Sequence, residues 1–396
     1  MNALLNEICG KYTIPQETKA AGIYPYYKPI SSGQDPIVKM ADGSSVMMFG
    51  SNSYLGLSDD PRLKEAAIKA IEKYGTSCSG RRFLNGTLDI HEELEEKLAR
   101  FVGKDQAVTF STGFQVNLGV ISALGFRGGY ILLDDTDHAC IIDGSRLSWS
   151  TVYKFKHNDM DALEKKLKAC EPDAPKMIVV DGVYSMLGDL CPLPQICELA
   201  KKYNASVMVD DAHGLGVFGK NGSGTADYFG LTDKVDLIMG TFSKSFGSLG
   251  GFIAGSEPVI NYLKHNARSL IFSASMTPAA VAAASKALDI MQSEPERIEH
   301  LWDITRYAHA KFRENGFDIN ATQSPIIPLM VRDTRKAMQI VTLAYNEGVF
   351  ITPVIAPAVP EKDVLIRFAL MATHTKEHID IAVEKLTKIF KQLDVI

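Results

Sequence analysis

The chain has 396 residues, room for two domains or for one large domain with a smaller one appended, which excludes a disulfide scaffold or a short binding module. Hydrophobic residues make up 46%, enough for a sizeable core, and 42 Lys plus Arg against 47 Asp plus Glu give a net charge of −5 without a basic block, so binding to nucleic acid through clustered cations is excluded. The six cysteines are scattered without a Cys-x-x-Cys pair, the start carries no cationic and apolar leader, and nowhere do about 18 apolar residues run together, so a cytoplasmic protein with free thiols and no transmembrane segment is expected.

Residues 1–50 read as an irregular, extended N-terminal arm, with Tyr24-Pro25-Tyr26-Tyr27-Lys28-Pro29 and Ser31-Ser32-Gly33 as turn formers. Asp60 and Pro61 open a helix through Leu63, Ile68 and Ile71 that Gly75 stops, and Ile90, Leu94, Leu98 and Phe101 mark a second helix. Seven short apolar runs follow, interspersed with helical stretches: Ala107–Phe110, Tyr130–Leu133, Val152–Phe155, Met177–Val180, Ser206–Val209, Leu237–Met239 and Phe252–Ala254. That alternation predicts a mainly parallel sheet flanked by helices, in a large α/β domain over residues 51–285. A helix around Pro278–Met291 precedes a smaller C-terminal α+β domain over 286–396, with strand-like runs at Ile326–Val331 and Gly348–Thr352 and a closing helix at Lys376–Leu393.

Charge collects where the strands end. Leu133 leads into Asp134-Asp135-Thr136-Asp137-His138, Val180 into Asp181, Val209 into Asp210-Asp211-Ala212-His213, and Gly240 into Thr241-Phe242-Ser243-Lys244. Ligands of open α/β sheets bind beyond the carboxyl ends of the strands, so these groups are expected to converge on one crevice; the plain alternative is that each one only leaves the core for solvent. Small and hydroxyl residues around Lys244 suit a phosphate cradle, and a desolvated lysine there would attack a carbonyl once its pKa fell toward about 7, at a cost of roughly 4 to 5 kcal/mol. The same lysine also reads as a surface residue in a Ser/Gly loop. A buried Asp210 needs a cationic partner, whether a structural ion pair or a protonated pyridine nitrogen. Pyridoxal 5'-phosphate asks for this set together: an amine for its aldehyde, donors for its phosphate and an acid for its ring nitrogen. His213 reads either as a donor to the ring oxygen or as a satisfied core histidine.

Two motifs invite other readings. Gly214-Leu215-Gly216-Val217-Phe218-Gly219 spells a dinucleotide fingerprint, but it follows two aspartates, leads into turn formers and has no acidic strand end about 20 residues on, so an NAD-binding oxidoreductase is the weaker reading. His374-Thr375-Lys376-Glu377-His378 spells a zinc motif, but Thr375 reads as a helix cap that leaves His374 outside, and no metal is expected.

With Asn52-Ser53-Tyr54-Leu55-Gly56-Leu57, Arg82-Phe83-Leu84-Asn85-Gly86-Thr87, Asp137-His138-Ala139 and Ile142-Asp143-Gly144, the Asp210–His213 and Thr241–Lys244 motifs make the chain resemble the α-oxoamine synthases from about residue 45 onward. These are fold-type-I pyridoxal-phosphate enzymes that join an amino acid to an acyl-CoA with loss of carbon dioxide. Phe49–Leu57, Ser243–Phe252, Leu263–Arg268 and Leu370–Thr375 are most similar to the bacterial branch that condenses L-serine with palmitoyl-CoA to 3-ketodihydrosphingosine. The resemblance implies that Lys244 carries the cofactor, Asp210 holds the pyridine nitrogen, His213 and Ser185 contact the ring-oxygen side, and His138 stacks on the ring. It gives Gly113, Phe114, Thr241 and Ser243 to the phosphate, joined by Ser273 from a neighbouring subunit, which implies a homodimer with shared active sites. Arg367 would clamp the substrate carboxylate with help from Asn52. Arg81 departs from the small residue usual before the Arg-Phe-Leu-Asn-Gly-Thr run. Glycine C-acetyltransferase and 8-amino-7-oxononanoate synthase share the cofactor and differ in amino acid and acyl donor.

Overall fold

The protein is described by a computed structural model covering residues 3–396. Its centre is a seven-stranded sheet in the order 106–110, 251–255, 237–241, 206–210, 176–181, 130–134, 151–155. Only the strand Gly251–Gly255 runs antiparallel to its two neighbours, so the sheet is mainly parallel, as its apolar runs predict. Because side chains alternate across a pleat, each strand feeds two cores. Ile178, Val180, Val207, Val209 and Ile238 pack on one face, and Met177, Val179, Met208 and Met239 on the other.

The helices start and stop where their caps dictate. Asp60 accepts the Arg62 N–H and Pro61 occupies the first turn of Pro61–Tyr74, while Gly75, at φ +83°, releases the chain. Thr375 caps Lys376–Gln392 by accepting the His378 N–H, and His374 lies outside, buried against the Phe49 ring at 4.4 Å. The alanine-rich helix Pro278–Ser293 packs on Pro61–Tyr74 and on Asp89–Phe101.

Two expectations are corrected. The stretch before residue 50 is not irregular throughout: it holds helices Ala3–Gly10 and Ile14–Ala20 and strands Ile37–Lys39 and Ser45–Met48. Val38, Met40, Val46 and Met48 are buried together with Met371, so polar turn residues around a short apolar alternation hid a strand pair. The run Gly348–Thr352 is two strands: Val349–Phe350 pairs parallel with Ser45–Met48, and Thr352–Val354 pairs with Leu365–Ala369 in a separate antiparallel sheet completed by Ile326–Met330. The central strand of that sheet, Leu365–Ala369, is buried along its whole length and carries Arg367, a charge that breaks the apolar signature of a core strand.

Candidate active site

Four parallel strands deliver their charged ends to one edge. Asp181 and Asp210 are register partners in adjacent parallel strands, so two carboxylates stand side by side, about 4.8 Å being the usual strand spacing. Asp210 Oδ2 accepts from Asn117 Nδ2 at 2.6 Å and Oδ1 from the Ala212 N–H at 3.0 Å. Burial, then the neighbouring Asp210, holds the Asp181 carboxyl well above the usual carboxylate range. Asp181 Oδ2 in turn accepts the backbone N–H of His138 at 3.2 Å.

Lys244 follows the strand Leu237–Thr241 and is partly buried. Burial pushes its ammonium down to about 8, with Arg367 adding to the shift while Asp210 and Asp181 oppose it. His138 caps the helix Ala139–Arg146, its Nδ1 accepting the Cys140 N–H at 3.3 Å, and burial holds the imidazole below its ordinary value. His213 is buried beneath this edge, with Nδ1 at 2.6 Å from the Tyr54 hydroxyl. Arg367 donates through Nη2 to the same hydroxyl at 3.2 Å and through Nε to the Ser185 carbonyl at 2.7 Å.

The opposite wall is the start of the helix Gly113–Leu124. The Thr112 side chain takes the Gln115 N–H and its carbonyl takes that of Val116, which leaves the N–H groups of Gly113 and Phe114 for an anion. Thr241 Oγ1 and Ser243 Oγ lie 3.0 Å apart at the same end. A Cβ on Gly113 would stand 2.7 Å from Thr241 Oγ1, so only glycine keeps this cradle open.

The groups line a cavity of about 250 Å³ that holds Gly113, Phe114, His138, Ser185, Asp210, His213, Thr241, Ser243 and Lys244. Arg367 joins it through Tyr54 and Ser185. Ser273 and Asn52 do not line it: Ser273 Oγ accepts from Gln115 Nε2 at 3.1 Å, and Asn52 Oδ1 is buried with no hydrogen-bond partner. Sequence reasoning passed over Tyr54, inside the quoted Asn52–Leu57 run, and Asn117, one helical turn after Gly113 on the same face. It also passed over Cys140 as a lining residue, whereas Asp181 lines the cavity as the charged strand ends predict. A larger cavity of about 530 Å³ opens at the amino-terminal ends of the strands, between Tyr130, Lys176, Ser206 and Leu237. It contains neither Lys244 nor Asp210, and the chemistry of such sheets belongs to the other edge.

The glycine triplet serves the fold. A Cβ on Gly214 would lie 1.8 Å from Asp211 Oδ1 and one on Gly224 2.1 Å from Oδ2, so glycines enclose a carboxyl that burial raises to about 7 and that takes the Thr225 N–H at 2.6 Å. The segment then enters a single turn at Lys220–Gly222 and not a long helix.

The donor set fits pyridoxal 5'-phosphate on chemistry: an amine of lowered pKa, a carboxylate held by two donors for a ring nitrogen, and helix N–H groups with two hydroxyls for a phosphate. The chain belongs to the aminotransferase class I and II family, whose pattern matches residues 44–386, and its fold is that of the fold-type-I pyridoxal-phosphate enzymes. It is 61% identical, over 99% of its length, to the whole of serine palmitoyltransferase from Bacteroides thetaiotaomicron. It is 43% identical, over 96% of its length and 98% of the relative's, to 8-amino-7-oxononanoate synthase from Lysinibacillus sphaericus. A solved lysine-to-alanine variant of serine palmitoyltransferase from S. paucimobilis, with a bound PLP–myriocin aldimine, matches with a TM-score of 0.96 at 33% identity, covering 99% of this chain and 100% of that one.

Proposed function

We propose that this protein is a pyridoxal-phosphate-dependent acyltransferase that condenses L-serine with palmitoyl-CoA, releasing CoA and carbon dioxide and giving 3-ketodihydrosphingosine. The observation that carries the reading is the single cavity in which Lys244, at about 8, faces Asp210 beside the open N-terminus of Gly113–Leu124. The serine and long-chain substrates are supported by the 61% identity to a serine palmitoyltransferase against 43% to an 8-amino-7-oxononanoate synthase.

When bound, the cofactor supplies an aldehyde for an amine and a protonated ring that takes up electron density from the substrate α-carbon. Asp210, oriented by Asn117, would keep the ring nitrogen of the bound cofactor protonated, and His213 would offer it a hydrogen bond on the ring-oxygen side next to Ser185. His138, which lines the same cavity, would contact the ring of the bound cofactor and would orient the carboxylate that is lost. Gly113, Phe114, Thr241 and Ser243 would hold the phosphate, joined in a homodimer by Ser273 of the partner subunit. Arg367 clamps the serine carboxylate, assisted by Asn52. Lys244 takes the α-proton; a positioned general base contributes roughly 10²- to 10⁴-fold, and a pKa near 8 leaves a useful share of neutral amine at physiological pH. The exposed apolar side chains Phe83, Leu84, Phe114, Leu249 and Phe272 support a homodimer with shared sites. Six cysteines without disulfides support a reducing cytoplasm, and no helix among the described residues is long and apolar enough to cross a membrane.

CoA release, measured with serine, glycine and alanine against acetyl- and palmitoyl-CoA, tests the reading. Serine with palmitoyl-CoA is expected to be fastest, Lys244→Ala to abolish turnover, and borohydride to bleach a visible band of the purified protein. Glycine with acetyl-CoA as the preferred pair, or a Lys244→Ala protein as active as the wild type, would overturn it.

A further inference from the structure

Tyr54 is buried at the junction of two residues with different tasks. Its hydroxyl lies 2.6 Å from His213 Nδ1 and 3.2 Å from Arg367 Nη2. Resting on the function proposed above, we infer that Tyr54 is a positioning residue that fixes the tautomer of His213 and the direction of the Arg367 fork with a single hydroxyl.

The argument is one of donor and acceptor counting. A guanidinium has donors only, so the Tyr54 oxygen accepts from Arg367. Burial raises the phenol above its ordinary value, so the hydroxyl keeps its proton, and burial together with Lys244 and Arg367 holds His213 well below 6.5, so the imidazole is neutral. The one phenolic proton therefore goes to His213 Nδ1, and the ring proton sits on Nε2. That leaves Nε2–H as the donor His213 offers to the cavity it lines. In the opposite tautomer Nδ1–H would donate to the Tyr54 oxygen, which would leave the buried phenolic proton without an acceptor among its two contacts and His213 with no donor toward the ring oxygen. On the other side, Arg367 is held at Nε by the Ser185 carbonyl and at Nη2 by Tyr54, which leaves Nη1 and the second Nη2 proton for a carboxylate. One hydroxyl thus links the group facing the cofactor's ring oxygen to the group facing the amino-acid carboxylate. Phenylalanine would fill the same space and remove only the hydroxyl.

The test uses the cofactor-loaded protein and its Tyr54→Phe variant. The variant is expected to retain the visible band and a melting temperature close to the wild type. Its serine dissociation constant, read from the spectral change on adding serine, is expected to rise about three- to tenfold, the worth of one hydrogen bond, with KM for palmitoyl-CoA unchanged. Long-range proton–nitrogen spectra of histidine-labelled wild-type protein, with His213 assigned through His213→Gln, are expected to show the Nε2–H tautomer, lost or mixed in Tyr54→Phe. An Nδ1–H signal in the wild type, an unchanged serine constant, or equal changes for serine and palmitoyl-CoA would overturn the inference. Should the variant fail to fold, the wild-type tautomer decides alone. A wild-type protein that never acquires the visible band would instead overturn the proposed function, while the tautomer remains readable.

Discussion

Lys244 is kept in an environment that its charged form resists. In the chain stripped of cofactor, its folded value of about 8 lies below the ordinary 10.5, so between these limits the unfolded state binds more protons and stability rises with pH. The cost is fully present below about pH 8 and vanishes above 10.5. Urea unfolding of the stripped wild type and of Lys244→Met at pH 7 and pH 10 should show the difference between them move by roughly 2 kcal/mol in the wild type's favour at the higher pH. A constant difference would show that the lysine is not desolvated. The lowering, set mainly by burial, was legible in the Ser/Gly-rich motif; its stopping near 8 was not, because the opposing field comes from Asp210 and Asp181 on strands far away in sequence.

Between elements, the site edge is pinned by His157. It follows the edge strand Thr151–Phe155 and places Nδ1 3.0 Å from Asp134, at the end of the neighbouring strand, and Nε2 2.9 Å from Asp189, in the loop that carries Ser185. The two carboxylates overcome burial and raise the imidazole to about 10. Because this lies above the unfolded 6.5, the stabilisation is complete below pH 6.5 and is lost as pH rises through 10, the reverse of the Lys244 slope. His157→Gln should lower stability by about 3 kcal/mol at pH 6 and by far less above pH 10, in unfolding curves of the two proteins at both values. Nothing in Lys156-His157-Asn158 announces this clamp, since both partners reach it only once the strands are side by side.

For the whole molecule, exposed apolar side chains form the surface that the proposed homodimer would cover. Phe272, next to Ser273, is 60% exposed and lies beneath the guanidiniums of Arg81 and Arg268 at 5.6 and 5.1 Å. Arg81, the departure from the usual small residue, therefore has a contact of its own. Phe272→Asp keeps both cations satisfied within one chain while placing a charge in the proposed interface, so light scattering should report one chain where the wild type gives two, with weakened cofactor retention. A dimer that persists with full retention would remove the shared-site reading.

The alternation of apolar runs with helical stretches was enough to determine the mainly parallel sheet, because strands buried on both faces leave a continuous apolar signature. The placement of Asp, His and Lys at strand ends located the crevice, because strands that run parallel bring all their carboxyl ends to one edge. Tertiary structure alone decided that Ser45–Met48 joins Val349–Phe350, that Arg367 sits in a core strand, and that Tyr54 and Asn117 hydrogen-bond Arg367 and Asp210. Such partners are chosen by distance through space, and a hydrogen bond between residues 54 and 367 leaves no trace in local pattern or spacing.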